Sequence, residues 1–204
     1  MAAERNELVL ASRSPQRRAL LEALGVRFVV RPPDFAEREI GDGEEVARHN
    51  ALGKALAVAA AAGEVVLGVD TVVSLGGRLW GKPEDPARAR ETLHALSGET
   101  HTVLSAIVLL GLAPEPRTAT CSTEVSFRAL DEATIDWYLR SEEWRERAGG
   151  YAIQGAGAAL VASITGDWTN VVGLPVGTLL AAHPALLAAR NNRFTAQNQA
   201  ELQR

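Results

Sequence analysis

The stretch VVLGVDTVVSLGGRLWGKP, residues 65–83, constrains this chain more than any other. An apolar run, residues 65–69, ends in an acid at Asp70, and apolar residues resume at Val72 and Val73. Burying a carboxylate there is costly unless it has a partner or a task. The Gly76-Gly77 pair reads as a two-residue hairpin loop, because glycine accepts the positive φ angles such loops demand. The chain then doubles back and brings Lys82, in Gly81-Lys82-Pro83, toward Asp70. An acid and a lysine on a rigid strand pair can bind a metal ion and a phosphate. A structural ion pair accounts for the same two residues.

A chain of 204 residues supports one large domain or two closely joined lobes, and a chain of that length buries roughly 70% of its unfolded surface. The formal charge of −4 argues against a nonspecific nucleic-acid binder, which would carry a basic surplus. Cys121 is the only cysteine, so there is no disulfide framework and no thiolate metal site, as suits a reducing compartment. The first residues lack the apolar core of a secretory signal, and no apolar run is long enough to span a membrane; a cytoplasmic location is expected.

Residues 8–11 read as a buried strand running into SRSPQRRALLEALG. Pro15 suits a first helical turn, and Leu20, Leu21 and Leu24 repeat at helical spacing before Gly25. Ser12 and Ser14 therefore lie in a strand-to-helix loop. Such a loop suits an anion, because free N–H groups and the helix dipole face outward, and Arg13 or Arg17 add donors. Ser14 as a plain N-cap with solvated arginines is the competing account. The loop matches neither the Walker nor the dinucleotide glycine pattern.

Residues 28–30 read as a strand, and Glu37 falls in the polar loop that follows. A helix is expected over 44–62, where Lys54 would by default be solvated. Asp85 and Pro86 open another helix, with Ala89, Leu93 and Leu96 on one face. Strands follow at 102–112 and 117–127, then a helix over 131–140 and a charged, exposed segment over 141–147. The glycine-dense segment 148–157 suggests backbone close to a ligand. A strand at 159–164 and a helix running through Leu187 complete the pattern. Residues 1–190 form a single two-lobed domain in this reading, and 191–204 a polar tail.

Taken together, the segments Leu-Ala-Ser-Arg-Ser-Pro-Gln-Arg (10–17), Glu37, Lys54-Ala55, Gly-Val-Asp-Thr (68–71), Gly-Lys-Pro (81–83), Ser-Gly-Glu-Thr-His (97–101), Ala-Gly-Gly-Tyr-Ala-Ile-Gln-Gly (148–155) and Val-Gly-Leu-Pro (172–175) resemble the Maf family of nucleoside triphosphate pyrophosphatases. The resemblance implies an α/β fold similar to that of inosine triphosphate pyrophosphatases: an elongated mixed β-sheet flanked by helices, in two lobes with a central cleft. It implies a nucleoside triphosphate substrate cut to monophosphate and pyrophosphate, a divalent cation (Mg or Mn), a homodimer, and neither nucleic acid nor membrane as partner. It places Ser12, Arg17, Lys54 and Lys82 on the substrate, Asp70 as proton acceptor, and Glu37 with Asp70 at the metal. Hard oxygen ligands of that kind suit Mg²⁺ or Mn²⁺, and cationic donors suit the charge that builds on the phosphates.

Within the resemblance, Thr71 and Gln154 mark the dTTP/UTP branch. A glutamine amide offers the donor and acceptor that match the N3–H and O4 of uracil or thymine. Gln16 is a departure, since an arginine is usual there, and it bears on substrate choice; Arg147 stands where a lysine is common. The alternative is a nucleotide-sensing regulator of cell division and septum formation with no significant turnover. The four histidines show no metal-ligand spacing. His101 is expected to pack or turn, and Cys121 to be buried packing.

Overall fold

A computed structural model describes residues 7–189. The polar tail expected over 191–204 lies outside the described residues. Among them, seven strands form one mixed sheet: β1 (Glu7–Ala11), β2 (Phe28–Val30), β3 (Glu64–Leu75), β4 (Arg78–Trp80), β5 (Thr100–Leu110), β6 (Arg117–Phe127) and β7 (Val161–Thr165). Their order is β2-β1-β3-β5-β6-β7, with β4 beside β3. β1 is parallel to β2 and β3, and the other pairings are antiparallel. The helices are α1 (Pro15–Ala23), α2 (Gly43–Leu56), α3 (Pro86–Leu96), α4 (Glu132–Arg140), α5 (Trp168–Val172) and α6 (Val176–Ala182).

β3 and β5 run the length of two lobes. In one lobe, the first half of β3 is covered on both faces. Leu8, Leu10, Leu67 and Leu174 pack on one face, and Val9, Ala47, Ala51 and Val66 on the other. In the second lobe Val73 and Val103 meet Leu93 and Leu96 of α3, Ile135 and Tyr138 of α4, and Trp144. The fold is thus the mixed α/β architecture expected, built on one seven-stranded mixed sheet.

The Gly76-Gly77 hairpin forms as its chemistry requires, with φ of 59° and 79° and Leu75 paired to Arg78. One detail of register positions everything that follows. Pairing of β3 with β1 stops at Gly68, opposite Ala11, and pairing with β4 begins only at Val73. Residues 69–72 therefore have no strand on that edge, while β5 pairs continuously along the other from Val66 to Ser74. Asp70 and Thr71 stand in this gap.

Two helices differ from expectation. α2 ends at Leu56 rather than continuing to 62. Val58 turns inward to 7% exposure, and Glu64 accepts from the Ala61 N–H, so packing into β3 overrides alanine's helical preference. The C-terminal helix is shorter as well: α6 follows Pro175 and ends at Ala182 rather than Leu187, and the short α5, capped by Gly173 at φ 119°, precedes it. After α6 a 3-10 helix covers Pro184–Ala189. Cys121 is half-buried on β6 rather than buried.

His101 is a packing residue, as expected, and it gives the fold a pH limit. Its Nε2 lies 2.9 Å from the Tyr151 hydroxyl, and its ring stands edge-on to Phe127 with centroids 5.0 Å apart. Burial pushes the imidazole down to about 4. The unfolded chain takes up that proton near pH ~6.5, so the contribution is complete above that pH and is lost as pH falls toward 4. The loss should reach at most about 3 kcal/mol. Denaturant melts at pH 7 and pH 4.5 should show it in the native chain and show less in His101→Gln; equal pH dependence in both would remove His101 as the cause.

Candidate active site

Three segments converge on the gap in β3: the loop after β1, the buried face of α2, and the turn after β4. The loop after β1 folds around its own hydroxyls. Ser14 caps α1, its Oγ accepting the Arg17 N–H at 3.4 Å. Ser12 Oγ accepts from the Ser14 N–H at 3.1 Å and from Arg17 Nη1 at 3.2 Å. The Arg17 side chain also donates from Nε to the Gly173 carbonyl at 2.7 Å and from Nη2 to Thr71 Oγ1 at 3.1 Å. Burial pushes its pKa down, and Asp70 and Glu37 oppose that. Arg17 thus ties α1, β3 and α5 together and keeps N–H donors in hand for a ligand.

α2 lies unusually close to β3, and glycine permits it. A Cβ on Gly68 would stand 2.1 Å from the Ala51 carbonyl oxygen and 2.8 Å from the Ala55 Cβ. Gly53 in turn admits the ring of Phe35, which a Cβ there would meet at 2.2 Å. The loop carrying Glu37 is seated by that ring. Gly68→Ala should therefore push the helix away and cost about 1–3 kcal/mol, the usual range for overpacking. It should also lengthen the contacts described next; a thermal melt and turnover both equal to the native chain's would contradict this account.

With α2 docked, Lys54 is 6% exposed instead of solvated, and its Nζ lies between two carboxylates. It donates to Asp70 Oδ1 at 2.6 Å and reaches Glu37 Oε1 at 2.8 Å. Asp70 is 4% exposed. Lys82 lies 3.6 Å from Glu37 Oε2, so the expected partner of Asp70 after the hairpin is taken by Lys54, and Lys82 faces the other acid. Burial alone would raise the Glu37 carboxyl, but Lys54 chiefly, with Lys82 and Arg17, holds it below its ordinary value.

Asn50 is the residue that sequence inspection passed over. Its Oδ1 accepts the Arg38 N–H at 2.8 Å, and its Nδ2 donates to the Arg38 carbonyl at 2.9 Å and to Asp70 Oδ2 at 3.0 Å. One amide therefore holds the peptide next to Glu37 and orients Asp70. The available signal was an asparagine at helical spacing with Ala47 and Lys54 on the buried stripe of α2.

Thr71 points to the opposite face of β3, with Ser105 Oγ at 2.8 Å. Gln16 accepts the Ser14 hydroxyl at 3.0 Å and lines the cleft. Gln154 is exposed and outside the residues that line it. The glycines of 148–157 serve the protein's own packing: a Cβ on Gly149 would meet Val73 at 2.9 Å, and one on Gly157 the Ala152 carbonyl at 2.6 Å. The segment 141–147 is not simply exposed. Trp144 is 1% exposed, and Arg145, Glu146 and Arg147 form a wall of the cleft.

The cleft holds about 560 Å³, within the ~300–1,000 Å³ of small-molecule sites. Six cations line it, Arg13, Arg17, Lys54, Lys82, Arg145 and Arg147, against three carboxylates, Glu37, Asp70 and Glu146. That surplus suits a polyanion. Among the described residues no group of three or more His, Cys, Asp or Glu side chains is placed to cage a metal. Two carboxylates sharing an ion with substrate phosphates is the ordinary arrangement for Mg²⁺, and Glu37 with Asp70 fits it.

The family model described as Maf-like protein matches residues 7–183. The chain belongs to the Maf family. Maf relatives of high similarity include the dTTP/UTP pyrophosphatase of Anaeromyxobacter dehalogenans strain 2CP-C, 45% identical over 187 residues, with 85% of this chain and 91% of that protein covered. The protein of the same name in Moorella thermoacetica is 45% identical over 175 residues, covering 84% and 90%. A solved HAM1 protein from Coxiella burnetii is 20% identical, covers 76% of this chain and 91% of that one, and superposes with a TM-score of 0.44. Of the positions singled out by the Maf resemblance, Ser12, Gln16, Arg17, Glu37, Lys54, Asp70, Thr71 and Lys82 all line one cleft, and Gln154 does not.

Proposed function

We propose that this chain hydrolyses dTTP and UTP to the nucleoside monophosphate and pyrophosphate. The supporting observation is the buried Asp70 carboxylate, held by Lys54 and Asn50 at the sheet gap, in one cleft with Ser12 and Arg17. The names carried by the Maf relatives support the choice of nucleotides.

In this reaction a water oxygen attacks the α-phosphorus, the bond from that phosphorus to the α–β bridging oxygen breaks, and pyrophosphate leaves with the bridging oxygen. Asp70 takes the proton of the attacking water. Asn50 keeps one carboxylate oxygen fixed and Lys54 balances the charge of both acids. Ser12, Arg17 and Lys82 hold phosphate oxygens, whose charge grows in the transition state. A Mg²⁺ or Mn²⁺ held by Glu37 and Asp70 would supply charge neutralisation and acidify water. Thr71 and Gln16 line the cleft as base-reading positions, and Gln154 stands outside it.

Pyrophosphate release with Mg²⁺ or Mn²⁺ from dTTP, UTP, CTP, dATP, GTP and 7-methyl-GTP tests the reading. A preference of roughly tenfold or more for 7-methyl-GTP over both dTTP and UTP would overturn the base assignment. Tight nucleotide binding without release would make the chain a sensor. The reading includes a cytoplasmic homodimer, as the family resemblance implies; light scattering from the purified chain tests the dimer.

A further inference from the structure

We infer that Arg147 is the side chain that grips the leaving pyrophosphate, an assignment that rests on the proposed hydrolysis. Its Nε is buried and meets no acceptor. Its side chain lines the cleft, and the described residues place no carboxylate in ion-pair range of it. The other cations of the cleft are already engaged, with the exception of the exposed Arg13. Lys54 stands between Asp70 and Glu37, Lys82 faces Glu37, and Arg145 pairs with Glu142 at 3.0 Å while lying over the Trp144 ring. Arg17 is bonded to Gly173, Ser12 and Thr71, and Arg13 is exposed to water. Arg147 is half-buried, and its buried Nε is a donor without an acceptor on the cleft wall.

The backbone holds it there at a cost. Glu142 and Glu146 take left-handed φ of 56° and 57°, and Gly149 and Gly150 follow at 70° and 65°. A non-glycine residue enters that region only where the surroundings impose it, and such positions gather at functional sites. Both ends of the segment are anchored. Trp144 is buried and its Nε1 donates to the Leu139 carbonyl at 3.2 Å. The Gly149 N–H donates to the Gly81 carbonyl at 3.2 Å, which seats Arg147 beside the strand end that carries Lys82.

The chemistry of the occupant follows from charge and shape. A guanidinium keeps its charge, and its planar fork matches two oxygens of a phosphate. Most of a triphosphate's charge sits on its distal phosphates, and breaking the bond to the α-phosphorus adds more to the departing group. Lys54 is occupied by the two acids, so the guanidinium whose Nε has no acceptor is assigned to the leaving group.

The test measures Arg147→Gln, Arg147→Lys and the native chain, each with pyrophosphate and with dTMP or UMP by calorimetry, and with dTTP for kcat and KM. Arg147→Gln should bind pyrophosphate at least ~10-fold more weakly and lose kcat/KM by ~10- to 100-fold, with Arg147→Lys recovering part of both. Monophosphate affinity should stay within about twofold. Unchanged pyrophosphate affinity in Arg147→Gln, or an equal loss for the monophosphate, would overturn the assignment. Native protein that releases no pyrophosphate would sink the proposed hydrolysis, and direct pyrophosphate binding would still decide the role of Arg147.

Discussion

Asp70→Asn should lower kcat by roughly 10²-fold or more with KM much less affected, the scale on which a general base acts. The substitution preserves shape and removes the proton-accepting charge. It also disturbs the hydrogen bonds in a specific way. The native carboxylate accepts from Lys54 Nζ on Oδ1 and from Asn50 Nδ2 on Oδ2. An amide offers one oxygen, so it can accept from one of these donors and must present its own N–H₂ to the other. The site therefore loses an interaction even though its volume is kept, and circular dichroism together with a thermal melt is needed to show that the fold survives. A folded variant with near-native kcat on dTTP and UTP would remove Asp70 from the mechanism.

Lys54→Met should be the most destabilising single change in the cleft. It takes away the ammonium that stands 2.6 Å from Asp70 and 2.8 Å from Glu37. Asp70 is then left buried without its counter-charge, and breaking a buried pair by removing one partner costs about 3–5 kcal/mol. For a chain of this size that lowers the melting temperature by roughly 6–20 °C. Glu37 changes too. Its carboxyl is raised by burial and held below its ordinary value chiefly by Lys54, so in the variant its pKa rises. Residual activity should then require higher pH, with the acid limb of the rate profile displaced upward. A melt within about 1 °C of the native chain, or an unmoved acid limb, would show that Lys54 does not neutralise the two acids.

The local elements were legible because their causes are local. The Gly76-Gly77 turn needs two positive φ angles, and only neighbouring residues decide them. The face of α3 formed by Ala89, Leu93 and Leu96 follows from helical spacing, and all three are fully buried. β6 was expected at 117–127 and runs over those residues, because alternation of polar and apolar positions needs no knowledge of the partner strand. The end of α2 was not legible. Alanines at 59–62 favour a helix by propensity, and the turn at Val58 is dictated by where β3 must begin. The end of the final helix was not legible either: it was expected through Leu187, and α6 stops at Ala182, with a 3-10 helix over Pro184–Ala189.

For the site, the chain by itself determined which groups are present: a carboxylate inside an apolar strand, serines and arginines at a strand-to-helix loop, and lysines at two distant positions. The tertiary structure decided their partners. Lys54 reaches Asp70 because Gly68 lets α2 close onto β3, a steric fact spread over residues 51–68 that no periodicity reports. Asn50 becomes an acid's orienting group for the same reason. The gap at residues 69–72 arises from the register of three strands, and register is settled by packing between segments far apart in the chain. Arg147 looks like surface charge in the sequence; the burial of Trp144 and the contact of Gly149 with Gly81 turn it into the cleft.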